Sequence, residues 1–128
     1  MKKVFALIFS LLLLVGCSSS TAGATNMDVL EFSKKITESG VVILDVRTPG
    51  EFAEGYIEGA QMIDFQGGSF ETEIASLDKD VTYAVYCRSG NRSGQAVKIM
   101  QDAGFGNLFN LEGGVIDWAN LGMPLVKN

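Results

Sequence analysis

Two continuous apolar runs constrain this chain most: Val41-Val42-Ile43-Leu44-Asp45-Val46 and Val81-Thr82-Tyr83-Ala84-Val85-Tyr86. Neither shows the polar alternation of a half-solvated strand, and β-branched runs of this kind belong to strands covered on both faces. Helical patterns separate them. Asp28 and Glu31 have capping-box spacing ahead of an apolar face of Val29, Leu30, Phe32 and Ile36, which stops at Ser39-Gly40. Thr48-Pro49-Gly50-Glu51 pairs a cap with a proline at the first helical position and predicts a short helix ending at Gly55. Further helices are predicted over Phe70 to Leu77, from about Gly94 to Gly104, and over Val115 to Leu121, with short strands near Gln61 to Ile63 and over Leu108 to Leu111. Strands alternating with helices predict an α/β fold, one parallel sheet with helices on both faces.

The second run delivers a nucleophile. Cys87-Arg88-Ser89-Gly90-Asn91-Arg92-Ser93 joins its C-terminal end to a helix, so a thiol lies on a tight polar loop with two arginines close by. A helix start presents unpaired N–H groups and about half a positive charge. Gly90 admits backbone angles closed to other residues, and the N–H groups from Arg88 to Ser93 can then converge into an anion-binding nest. Cationic neighbours and a helix N-terminus both lower a thiol's pKa, which makes Cys87 the candidate catalytic residue. Apart from Cys17 it is the only cysteine, and the chain has no histidine. That excludes a Cys–His hydrolase pair and a Cys/His zinc site. Asp45 and Arg47 end the first run on the same sheet edge, where parallel sheets bind ligands. They are expected to support the site, Asp45 by bonding loop backbone and Arg47 by pairing with Glu51.

The N-terminus gives the compartment. Met1-Lys2-Lys3 precedes an apolar run from Val4 to Val15, shorter than the roughly 20 residues a spanning helix needs. Residues 1–16 are therefore expected to be a signal peptide. Leu14-Val15-Gly16-Cys17 is similar to a bacterial lipoprotein cleavage box, which marks Cys17 for lipidation. Residues 17–26, small and polar, are expected to form a flexible tether, leaving 27–128 as the folded domain. The protein is expected to be exported and held to a membrane by lipid, facing the periplasm or the cell exterior. Without Lys2 and Lys3, 8 basic residues stand against 15 acidic ones, a net charge of −7. Such a domain does not attract nucleic acid, and Arg88 and Arg92 are a local exception aimed at a small anion.

Four blocks carry a family resemblance: Leu44-Asp45-Val46-Arg47 with Glu51-Phe52; Gly55-Tyr56-Ile57-Glu58-Gly59-Ala60; the Cys87 loop; and Leu111-Glu112-Gly113-Gly114 with Trp118, Gly122 and Pro124. In order, they resemble a single-domain rhodanese, with Tyr56 where that family commonly has histidine. The resemblance implies a rhodanese-like α/β fold, with a central, mostly parallel five-stranded sheet between helices. It implies a sulfurtransferase without a cofactor, moving sulfane sulfur from an anionic donor such as thiosulfate to cyanide or a thiol through a persulfide on Cys87. Arg88, Ser89, Gly90, Asn91, Arg92 and Ser93 would bind the substrate, with Arg92 also bracing the loop. Two rivals remain. Cysteine-dependent phosphatases and arsenate reductases use a similar loop, but here only four residues, Arg88 to Asn91, separate Cys87 from Arg92, one fewer than phosphate-binding loops have. A non-catalytic anion- or sulfur-binding module is the other.

Overall fold

The two apolar runs become β2 (Val41–Asp45) and β4 (Thr82–Tyr86), hydrogen-bonded side by side and parallel. The computed structural model describes residues 24–128; the expected signal peptide, Cys17 and the expected tether up to Gly23 lie outside the described residues. β1 (Thr25–Met27), β3 (Gln61–Met62) and β5 (Leu108–Leu111) complete a five-stranded sheet in the order β1-β5-β4-β2-β3, parallel at every pairing. Among the described residues four helices connect the strands, α1 (Val29–Lys35), α2 (Pro49–Glu54), α3 (Phe70–Ile74) and α4 (Asn91–Asp102), and α5 (Gly114–Asn120) follows β5.

Side-chain alternation along β4 builds both layers. Tyr83, Val85 and Cys87 face a cluster with Phe70 and Ile74 of α3 and Ala96, Val97 and Met100 of α4. Ala84 and Tyr86 face the other, with Val29 and Phe32 of α1 and Val115 and Trp118 of α5. Phe32 meets Tyr86 and Trp118 edge-on, with ring centroids 6.4 and 6.3 Å apart. Each large apolar side chain fully buried in these layers contributes about 1.5–3 kcal/mol. The predicted caps are made: Asp28 Oδ1 accepts from the Glu31 N–H at 2.8 Å, and Thr48 Oγ1 from that of Glu51 at 3.3 Å.

Two boundaries change. Thr25 and Asn26, expected in the tether, belong to β1, because their backbone completes the edge ladder on β5. The paired Asn26 and Asn110 also join side chains, Asn110 Nδ2 donating to Asn26 Oδ1 at 3.0 Å. α4 begins at Asn91 rather than near Gly94, since Gly90, at φ +96°, turns the chain straight into the helix.

Candidate active site

β4 is the central strand, and its C-terminal end opens directly into the loop. Cys87 is 1% exposed. Its Sγ accepts the Gly90 N–H at 3.1 Å and lies 3.3 Å from Ser93 Oγ. Burial pushes the thiol up, but hydrogen bonds from the Ser93 hydroxyl and from the N–H groups of Ser93, Ser89 and Gly90 outweigh it and hold the thiol below its ordinary value. The arrangement is a buried sulfur ringed by donors, ready to hold negative charge.

The loop is held from beneath by the turn between β5 and α5. Val115 N–H donates to the Cys87 carbonyl at 2.9 Å, and Ile116 N–H to that of Arg88 at 3.1 Å. The approach is close enough to require glycine. A Cβ on Gly90 would fall 1.8 Å from the Glu112 carbonyl oxygen, and one on Gly114 would fall 2.3 Å from the Arg88 carbonyl oxygen. Glu112-Gly113-Gly114 is thus part of the site, through backbone alone. The Gly-Gly pair directly after a strand is the sequence signal for it.

The two arginines have different surroundings. Arg92 is bound bidentately by Glu51 of α2, Nη1 to Oε1 at 2.7 Å and Nη2 to Oε2 at 2.8 Å. The Arg92 guanidinium holds the Glu51 carboxyl down at about 2. Arg88 is exposed and, among the described residues, has no ion-pair or side-chain hydrogen-bond partner. Ser89 and Asn91 are exposed, and Asn91 Oδ1 accepts from Gln95 Nε2 at 2.8 Å. Ser93 is buried, its hydroxyl proton shared between Cys87 Sγ and the Gly90 carbonyl.

The expected pairing of Arg47 with Glu51 is corrected. Arg47 lies before α2, where spacing of four does not bring side chains together. It reaches back to Asp45 instead, Nη2 to Oδ2 at 2.6 Å and Nε to Oδ1 at 2.9 Å. Asp45 Oδ1 also accepts the Arg47 backbone N–H at 3.0 Å, and Arg47 Nη2 donates to the Gly55 carbonyl at 2.7 Å. Both residues are buried, at 0 and 4% exposed. Burial and the nearby Asp45 charge push the Tyr86 phenol far up, so it stays neutral, and its oxygen accepts the Ile57 N–H at 3.0 Å. This network fixes the 55–60 turn beside the loop without touching Cys87. Tyr86 is the member that motif reading did not single out.

Beside the loop, Arg88, Glu54, Val115, Ile116, Ala119 and Leu125 line an open cleft of about 540 Å³. Tyr56 forms part of its frame rather than its wall. It stacks on Phe52 with centroids 4.0 Å apart and exchanges backbone hydrogen bonds with Val126. Phe65 and Phe70 pack edge to face against each other, 5.2 Å apart, away from this cleft.

A model of the rhodanese-like domain matches residues 28–121. A sulfurtransferase of Allochromatium vinosum is 35% identical over 101 residues, 78% of this chain and 92% of that protein. The thiosulfate sulfurtransferase GlpE of Pseudomonas aeruginosa is 33% identical over 91 residues, 71% of this chain and 81% of that one. Among solved structures, a rhodanese-related protein from Thermoplasma volcanium matches with a TM-score of 0.72 at 29% identity, covering 81% of this chain and 99% of that one.

Proposed function

Because the chain belongs to the rhodanese-like domain family, we propose that it is a sulfurtransferase in which Cys87 carries the sulfur in transit. The relatives named sulfurtransferase support the reaction class. The observation that carries the reading is the ring of donors on Cys87 Sγ, which favours the thiolate despite burial. In the first half-reaction the thiolate attacks the outer sulfur of an anionic donor such as thiosulfate. A bond forms between Sγ and that sulfur, and the donor's S–S bond breaks with its electron pair leaving on sulfite. The product, a persulfide anion, inherits the same donors. In the second, a thiophile such as cyanide or a thiol takes the outer sulfur, and the electron pair returns to Cys87. Sulfite leaves as an anion, so no general acid is needed.

Donor binding falls to Arg88, whose guanidinium is unengaged and beside Cys87. Arg92, committed to Glu51, braces the loop. We place the protein outside the cytoplasm, anchored through lipid on Cys17 and working on small aqueous substrates rather than nucleic acid; the signal segment, the cleavage box and the net charge of −7 support this.

Intact mass of the purified protein after exposure to thiosulfate is the test. The expected result is a gain of one sulfur, lost again on adding cyanide and absent from Cys87→Ala. No gain, together with hydrolysis of p-nitrophenyl phosphate, would replace this reading with the phosphatase one.

A further inference from the structure

A second groove, of about 580 Å³, lies along another face of α5. Val115, Ile116 and Ala119 face the cleft beside Arg88, whereas Asp117, Asn120 and Leu121, roughly 100° per residue around the helix, face this groove. Its opposite wall is the start of α1, with Asp28 and Val29. Glu112 lies between the two walls and donates its N–H to the Met27 carbonyl at 3.0 Å. Asp28 directly follows β1 and Glu112 directly follows β5, so the groove opens at the C-terminal edge of the sheet, as Cys87 does. The Glu112 carbonyl that leaves no room for a Cβ on Gly90 belongs to its wall.

The lining is an apolar track inside an acidic rim. Leu121 is 63% exposed over Val29, which is buried, and Leu30, the next residue of α1, is 61% exposed. Asp28, Glu112 and Asp117 supply three carboxylates, and none has an ion-pair partner among the described residues. No lysine or arginine lines the groove. Gly113 makes room for one of the carboxylates, since a Cβ there would fall 1.7 Å from Asp117 Oδ2. Apolar centres with charged rims are the anatomy of protein interfaces, and complementary charge selects the partner. A symmetric pairing with a second copy would set these carboxylates against themselves. Nucleic acid and anionic bilayers are repelled by the same charge.

We propose that this groove is a docking surface for a partner protein, and that it takes a segment in which lysine or arginine flanks an aliphatic side chain. The aliphatic group packs on Leu121 and Val29, and the flanking cations meet Asp28, Glu112 and Asp117. So docked, the partner lies against the turn whose Val115 and Ile116 N–H groups hold the Cys87 loop. It stands at the edge of the sheet from which the thiol is reached. The assignment does not depend on the reaction carried out at Cys87.

The test is a titration of isotope-labelled protein at 0.15 M salt, followed through its backbone amide resonances. The probes are a pentapeptide of alternating lysine and leucine with both ends blocked, the same peptide with glycine for leucine, and spermidine, which matches its charge. The leucine peptide is expected to shift resonances of residues 28–31 and 112–121 and to bind more tightly than either control. Asp117→Asn is expected to weaken it about three- to fivefold, as loss of an exposed ion pair does. Leu121→Ser is expected to weaken it about tenfold through lost apolar contact. Both side chains are exposed, and thermal melts verify that the variants fold. Asp102→Asn, at the end of α4, removes the same charge elsewhere and is expected to leave binding unchanged. Shifts spread over the acidic surface, or equal losses in Asp102→Asn and Asp117→Asn, would overturn the proposal. Spermidine binding as tightly as the leucine peptide would replace the protein partner with a polyamine. A dimer in sedimentation that Leu121→Ser dissociates would replace it with a second copy of this chain.

Discussion

At the scale of single residues, the proposed chemistry depends on how the ionised form of a buried thiol is favoured. Ser93 is the donor that can be removed most cleanly, because its hydroxyl lies 3.3 Å from Sγ and its side chain is small. In Ser93→Ala the sulfur loses a hydrogen bond made to its charged form, worth about 1.5–3 kcal/mol. The thiol pKa is expected to rise, and alkylation of Cys87 by iodoacetamide at neutral pH to slow roughly tenfold, 1.4 kcal/mol being a factor of ten. Measured against pH, the alkylation profile should move to higher pH in the variant; an unmoved profile would show that the backbone N–H groups suffice. Arg88→Ala separates the two arginines. It is expected to raise the KM for thiosulfate severalfold without altering unfolding, since Arg88 makes no ion pair among the described residues. Steady-state kinetics alongside thermal melts check both halves, and a destabilised variant would mean that Arg88 braces the loop as Arg92 does.

At the scale of elements, the loop is held between α2, through Glu51, and the start of α5, through two N–H groups. The Glu51–Arg92 pair is only partly shielded, with side chains 26 and 18% exposed, so solvent screening limits it to about 1 kcal/mol. Its pH dependence has a definite sign. Glu51 titrates at about 2 in the fold, below the ordinary 4.5, so its contribution is full above about pH 4.5 and is lost as pH falls toward 2. Glu51→Gln is therefore expected to be less stable than the unaltered protein at pH 7, with the gap closing between pH 4.5 and 2.5. Urea unfolding across that range measures it, and a constant gap would locate the loss in packing rather than charge. The same elements show what the sequence makes legible. β2, β4 and β5 are readable because apolar runs of their length fit strands buried in a sheet. β1 is not, because Thr25-Asn26-Met27 has no apolar period and its place comes from hydrogen bonds to a strand more than eighty residues away. The Cys87 loop is readable from its residue types. The partners of Arg47 and Arg92 are not, because spacing along the chain says nothing of which turn faces which. Arg47 turned back to Asp45, and Glu51 was left for Arg92.

At the scale of the whole molecule, sheet polarity sets the orientation of the site. All pairings are parallel, so β1 enters the sheet at the edge opposite the one where Cys87 leaves β4. Residues from Cys17 to Ala24 span at most about 25 Å of extended chain. Lipid on Cys17, as proposed, would thus hold the N-terminal edge of the sheet near the bilayer. The five residues of β4, at about 3.3 Å each, put the thiol roughly 16 Å farther out. That is about twice the 8 Å Debye length at physiological salt, so negative lipid headgroups do not repel an anionic donor from the loop. The kcat/KM for thiosulfate is accordingly expected to be equal for protein anchored on anionic vesicles, protein anchored on neutral vesicles, and the unanchored Cys17→Ala domain at 0.15 M salt. Lowering the salt tenfold extends the Debye length to about 25 Å, and under those conditions the anionic vesicles alone should depress the rate. A severalfold loss on anionic vesicles at physiological salt would mean that the Cys87 edge faces the bilayer and that the domain lies over on its anchor.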